Sequence, residues 1–324
     1  MAKVFSVGVV ADPAEWDALF SSVEHPHMTQ AWAYGEARQA AGGHGQRRVI
    51  FDVGGWRARR IVFEREGEPV AICQLLDKPL AGISCGSRVN RGPLFLGADP
   101  EQDVVRNVYQ ILSRHGQRHR NGVLLLAPAL TADSENDRML AELGFRSRRA
   151  GGWCSDRVDL RVGEQQLRKN LASTWRNRLK AAERSGLAVR VSQSPEDVEW
   201  IIDRHVENMR QKGFPGPSPA LVRALCQAAP DDILIFQALL ADEAVGGMLV
   251  YRFGHGAEYY VGWMGREGRD VNVGNVLYWQ VALELQRRGC RWLDLGGKRR
   301  GATEQFKRGM RGMSYELLNE WWAF

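Results

Sequence analysis

One order of elements occurs twice along this chain, and that repetition restricts the fold more than any single motif does. In the first half, residues 60–65 read as a strand through Ile61, Val62 and Phe63. Glu66, Gly67, Glu68 and Pro69 form a turn, and 70–76 read as the returning strand. Another strand is read at 94–96. Residues 101–120 then carry Val104, Val105, Val108, Ile111 and Leu112 at helical spacing. A buried strand follows at 123–127, and a short helix at 135–143 stops at Gly144. A helix at 31–41 precedes all of these. The second half repeats the order. Strands are read at 233–240, 245–252 and 257–263, with a turn at 241–244. A helix at 275–288 has Val276, Leu277, Val281 and Leu285 on one face and Gly289 as its cap. A strand at 291–295 and a short helix at 303–308 close the unit. The expectation is an α/β (α+β) protein of two tandem subdomains, 1–155 and 156–324. Each is a mixed, mostly antiparallel sheet flanked by helices.

Between the repeats lies a basic helical segment, 165–186, assigned to the second subdomain. Leu167, Leu171, Trp175, Leu179 and Ala182 give it a buried stripe. The opposite face carries Arg168, Lys169, Arg176, Arg178, Lys180 and Arg184. Such a face is either solvated or a contact for phosphates.

The 324 residues leave room for a core in each half. No apolar run approaches the roughly 20 residues of a membrane span, and the opening lacks the pattern of a secretory signal. A cytoplasmic location is therefore expected. Cys73, Cys85, Cys154, Cys226 and Cys290 are odd in number and form no CxxC pair, so reduced thiols are expected rather than disulfides or a zinc site. The histidines show no HExxH, and His115 with His119 is a helical pair lacking a further ligand. No metal or cofactor is expected. The net charge of +6 suits a polyanionic partner such as tRNA, a nucleotide-linked substrate or an anionic surface.

Several segments, taken in order, resemble the Fem family, the aminoacyl-tRNA-dependent transferases of peptidoglycan cross-bridges and their natural-product relatives. They are Gln30, Trp32, Tyr34, Gly35, Glu36 and Arg38; Arg88, Asn90, Arg91, Gly92 and Pro93; and the helix from Trp175 to Gly186. Tyr259, Tyr260 and Gly262 follow, then Asp294, Gly296 and Gly297, and Phe306, Lys307 and Gly309 with Asn319, Glu320 and Trp321. The resemblance spans about residues 28–322. It implies two GNAT acetyltransferase-like subdomains, here without the coiled-coil arm of some members, and a monomer. Glu36 departs from the family's lysine, and Lys298 follows the two glycines where isoleucine is usual.

The resemblance implies aminolysis of an aminoacyl-tRNA ester by the amine of a peptide or peptidoglycan-precursor acceptor, with aminoacyl-tRNA as co-substrate. The ester is already activated. Proximity, a neutral amine and stabilisation of developing negative charge suffice. Lys307 beside Phe306 is the first candidate for that cation, although by residue type alone it is a surface lysine. Tyr260 and Asp294 complete the implied catalytic set. Strand alternation predicts that Tyr259 and Tyr260 face opposite ways. The implied substrate contacts are Glu36, Arg38, Arg210, Tyr259 and Lys298. The implied tRNA contacts are Arg176, Arg178, Lys180, Arg299 and Arg300. Two other readings stay open: an acyl-CoA-dependent N-acyltransferase on the same fold, and a non-catalytic tRNA-binding protein. Against CoA, the stretch from Arg269 to Gly274 lacks the glycine-rich spacing of a pyrophosphate loop.

Overall fold

The structure, a computed structural model, describes residues 4–42, 55–80, 83–118, 122–148, 152–297 and 302–324. Its contacts divide the chain into two compact units. One is Met1–Trp153 with Glu316–Phe324, and the other is Cys154–Tyr315.

The first unit runs β1 (Phe5–Val9), α1 (Pro13–Ser21), α2 (Trp32–Ala40), β2 (Arg57–Arg65), β3 (Glu68–Leu80), β4 (Ile83–Asn90), β5 (Leu94–Phe95), α3 (Gln102–Arg118), β6 (Val123–Ala127), α4 (Ser134–Glu142) and β7 (Arg146–Ser147). Its eight-stranded sheet has the order β1-β2-β3-β4-β6-β15-β7, where β15 (Trp321–Ala323) comes from the far end of the sequence, and β5 pairs with β3. Only the β4–β6 pairing is parallel among the registers of this sheet. Ala71, Cys73 and Leu75 of β3 enter a core with Val108, Tyr109 and Leu112 of α3. Ile72, Gln74 and Leu76 on the other face of β3 are buried as well. Covering on both faces explains why this strand reads as a continuous run rather than an alternation.

The second unit contains β8 (Cys154–Asp159), α5 (Glu164–Asn170), α6 (Ser173–Glu183), β9 (Ala188–Ser192), α7 (Pro195–Lys212), α8 (Pro219–Ala228), β10 (Ile233–Leu240), β11 (Glu243–Phe253), β12 (Gly256–Met264), α9 (Arg266–Asp270), α10 (Val273–Arg287), β13 (Trp292–Asp294), α11 (Ala302–Arg308) and β14 (Met313–Glu316). The strand order is β14-β8-β13-β12-β11-β10-β9, with β12 and β13 parallel. The buried stripe expected on the basic segment is present: Leu167, Leu171, Trp175, Leu179 and Ala182 all lie in this unit's core. The segment is two helices rather than one, because Leu171 is extended with ψ 143°.

The duplicated order is present, with two differences from the sequence reading. The strand matching β12 in the first unit is β4 at Ile83–Asn90, whereas the expected strand at 94–96 is the two-residue β5. The last strand, β15, pairs with β6 through Trp321↔Leu126 and Trp322↔Leu125, so the C-terminal residues complete the first sheet rather than the second. Trp321 is buried in that core. Among the described residues, no helix is long and apolar enough to cross a membrane.

Candidate active site

The second unit's sheet opens where β12 and β13 part. Their parallel ladder covers only Gly256↔Trp292 to Glu258↔Asp294. Beyond it, β12 carries an irregularity: Val250 pairs with Tyr259 and Leu249 with Val261, which leaves Tyr260 as the extra residue. A bulge bends its strand and re-aims side chains. The simple alternation expected for Tyr259 and Tyr260 is therefore interrupted at this pair.

Tyr259 packs against Tyr278 of α10, with ring centres 5.4 Å apart, and Tyr278 packs against Phe306 at 5.4 Å. Trp175 of α6 closes the series 5.8 Å from Phe306. Gly309, which follows α11, lets Trp175 in: a Cβ there would lie 2.4 Å from the indole Cδ1. The stripe on α6 thus serves as the seat of α11. Its tryptophan fixes where Phe306, and hence Lys307, can stand.

Lys307 is only 3% exposed. Its ammonium donates to the carbonyl oxygens of Gly296 and Gly297, each at 3.0 Å, and lies 5.3 Å from the centre of the Tyr259 ring. A buried charge persists only where polar groups replace its hydration, and the two carbonyls and the ring face do so. The turn that presents those carbonyls is held by Asp294, itself 6% exposed. The Asp294 carboxylate accepts from the Gly296 amide at 2.8 Å, from Ser155 Oγ at 2.5 Å and from Tyr315 Oη at 2.5 Å. Ser155 Oγ also lies 2.9 Å from the Gly296 oxygen. The Arg157 guanidinium lies over the Tyr315 ring at 3.8 Å. Gly296 has φ +73°, and a Cβ on it would lie 2.7 Å from the Tyr259 carbonyl oxygen. Both conditions demand glycine.

Burial pushes the Tyr259 phenol up to about 12. The Tyr278 phenol is raised further, by burial first and then by Tyr259 and Asp294. The unfolded chain releases these protons from about pH 10, the folded chain only later. Between those values the folded state binds more protons, so stability falls as pH rises. The urea midpoint is expected to drop between about pH 10 and 12, and the slope to shrink in Tyr278→Phe. An equal slope in that variant would assign the loss to other groups.

The structure thus brings together Asp294, Tyr259, Phe306 and Lys307, with Tyr260 on the adjoining bulge. Ser155, Tyr278 and Tyr315 join them, and no sequence signal marked these three. The Arg210 side chain, 73% exposed near the end of α7, forms a forked pair with Glu207 at 2.7 Å. An exposed pair of this kind is weak and leaves the guanidinium open to exchange partners.

Glu36 and Arg38 belong to the first unit. Glu36 accepts from Arg60 at 2.8 Å, and Arg60 is 6% exposed with its guanidinium 3.4 Å from the centre of the Trp32 ring. Glu36 thus answers a buried arginine. Gln30 is structural: its carboxamide accepts from the Gln74 amide at 2.7 Å and donates to the Asn90 oxygen at 2.9 Å. On α6, Arg176 donates to the Lys169 carbonyl at 2.9 Å, while Arg178 and Lys180 are exposed and carry no ion pair among the described residues. Lys298, Arg299 and Arg300 lie outside the described residues.

Residues 168–308 match the acetyltransferase (GNAT) domain family model. No curated protein matches the sequence. Among solved structures, FemX is similar over 99% of this chain and 97% of its own, with a TM-score of 0.75 and 14% identity. A tandem GNAT protein from the clavulanic acid biosynthesis pathway matches over 99% and 98%, with a TM-score of 0.55 and 11% identity. L-PGS from Bacillus licheniformis matches over 96% and 91%, with a TM-score of 0.51 and 12% identity. The resemblance read from the motifs is borne out at the level of the fold. The chain has the tandem GNAT fold, and its second unit holds the stretch that matches the acetyltransferase (GNAT) domain model.

Proposed function

We propose that this tandem GNAT acyltransferase moves an aminoacyl group from aminoacyl-tRNA to the amine of a peptide acceptor in the cytoplasm. The acceptor is a peptidoglycan precursor or a peptide natural product. The observation that carries this reading is the seat of Lys307, a buried cation fixed by two glycine carbonyls beside the opened β12–β13 ladder. In the proposed step the acceptor amine attacks the ester carbonyl, and negative charge builds on its oxygen. The C–O bond then breaks, the amide forms, and the departing ribose oxygen takes up a proton. Lys307 stabilises the oxyanion and the leaving oxygen, a preorganised charge in a low-dielectric site. Phe306 and Tyr259 form the floor, and Tyr260 orients the amine or relays its proton. Asp294 acts through the turn: with its carboxylate accepting three hydrogen bonds, it positions Gly296 and Gly297 rather than serving as a base.

Two features support tRNA over CoA as donor. Where a pyrophosphate loop would open α10, the chain forms α9 instead. The amides of Arg269, Val271, Asn272 and Asn275 there already donate to Gly265, Glu267, Arg269 and Asn272. Gly268, the glycine of that segment, answers packing: a Cβ would lie 2.3 Å from the Val245 oxygen. The second feature is the pair of unpaired cations on α6. Changing Arg178 and Lys180 to glutamate is expected to weaken tRNA binding and to lower its log–log salt slope by about two. An unchanged slope would return α6 to a solvated surface.

The deciding experiment supplies radiolabelled aminoacyl-tRNA and, separately, acetyl-CoA, each with peptide amines and peptidoglycan precursors. Transfer from aminoacyl-tRNA that ceases on ribonuclease treatment supports the proposal. Transfer from acetyl-CoA alone keeps acyl transfer and overturns the donor.

A further inference from the structure

The first sheet is unfinished along one strand. β1 stands at the end of the strand order and is paired with β2 alone. The Glu66 amide donates to the Val4 carbonyl, and the Val10 amide to the Arg60 carbonyl. Backbone groups alternate sides along a strand, so Phe5, Val7 and Val9 turn their amides and carbonyls away from β2. No backbone group of the described residues meets them there. Where β2 runs on past β1, by contrast, the Ala58 amide is answered by Gln39 Oε1 at 2.9 Å.

The side chains of the same three residues share a face with Phe63 and Ile61, which stand opposite Val7 and Val9 in the register and belong to the core that includes α3. Phe5 packs against that core, whereas Val7 is 44% exposed and Val9 71%. The apolar face of the sheet thus runs on past its cover. A charge often guards an edge strand against pairing. The other three strands that end a sheet order carry one: Arg146 in β7, Arg190 in β9 and Glu316 in β14. β1 has none among Phe5, Ser6, Val7, Gly8 and Val9.

We propose that β1 pairs with β1 of a second copy of this chain, antiparallel about a two-fold axis at Val7. In this register Val7 faces Val7 and Phe5 faces Val9. Outward groups then meet only outward groups, and each facing pair exchanges both of its hydrogen bonds. The strand is its own complement, and no charge within it repels its copy. The register also lays the exposed Val9 against the half-buried Phe5, an aromatic contact with a β-branched side chain. The contact is small and each copy carries a net charge of +6, so the pairing is reversible, with a Kd on the order of 100 µM. The resemblance implies a monomer, and the edge makes that the dilute state.

The test is sedimentation velocity of the full chain from about 5 µM to about 500 µM, which brackets that Kd. The weight-average mass is expected to rise toward that of a dimer. Val7→Lys sets two ammonium groups opposite each other at the axis and removes an apolar contact, so Kd should rise about fivefold or more. An unchanged melting temperature shows that the variant folds, and Val9→Lys, at the more exposed position, takes its place if it does not. A mass that stays monomeric at every concentration overturns the proposal. A dimer that a folded variant leaves unchanged overturns it too, because such a dimer forms elsewhere on the surface.

Discussion

Replacing Lys307 by methionine is expected to lower amide formation by about 10²–10³-fold, the usual consequence of losing one preorganised oxyanion donor. The substitution keeps an unbranched stem of similar reach, so the packing beside Phe306 survives. It removes the charge and the donors to the Gly296 and Gly297 carbonyls. Buried carbonyls without a donor cost about 1–3 kcal/mol. Ser155 Oγ lies 2.9 Å from the Gly296 oxygen, but its single proton is shared with Asp294, so it offsets that loss only in part. Single-turnover transfer and urea unfolding, measured on the same preparation, separate the two effects. A rate equal to that of the parent, in a folded variant, would remove the cation from the chemistry and leave Lys307 as a brace for the turn.

Gly296→Ala is expected to damage stability and turnover together. The backbone stands at φ +73°, in the left-handed region where a side chain costs roughly 1–2 kcal/mol. The added Cβ would also lie 2.7 Å from the Tyr259 oxygen and 3.1 Å from its Cδ1, and overpacking of this kind costs roughly 1–3 kcal/mol. Together the loss is about 2–5 kcal/mol, a large share of the roughly 5–15 kcal/mol that holds a domain folded. Relief requires the turn to move, and that displaces both oxygens that seat the ammonium. The denaturant midpoint should fall, and transfer by the residual folded protein should fall too. A variant with the parent's midpoint would show that the turn yields freely and that Lys307 does not depend on it.

The two substitutions act on one small structure whose parts come from distant places in the chain. Ser155 and Asp294 are 139 positions apart, and Tyr315 reaches Asp294 from the following strand. The Phe306–Lys307 pair could be picked out because it matches a motif of the family the sequence resembles. Ser155, Tyr278 and Tyr315 could not, because a serine in a strand, a tyrosine in an apolar helix and a tyrosine in an edge strand are ordinary residues until a carboxylate or a ring is placed against them. Arg210 has a neighbour that the motif does not show. The resemblance implied a ligand contact, and the structure adds a surface pair with Glu207 one helical turn earlier. Glu36 is a substrate contact by resemblance alone. Its partner Arg60 stands 24 residues on and meets it only when α2 lies over β2.

The sequence by itself determined the repeated elements and their order. Periodicity is a local property, so the strands at 123–127 and 233–240, the helices α3 and α10, and the buried stripe through Trp175 and Leu179 follow from spacing alone. Tertiary structure decided which strands are neighbours. β15 joins the first sheet at Trp321↔Leu126, and β8 stands beside β13 through Leu293↔Val158. It also decided the state of Lys307. Spacing can place a lysine on a short helix. Whether that lysine is solvated or buried as a fixed charge depends on the carbonyls, the ring and the carboxylate that other segments bring to it, and the free energy of a charge is set by those surroundings.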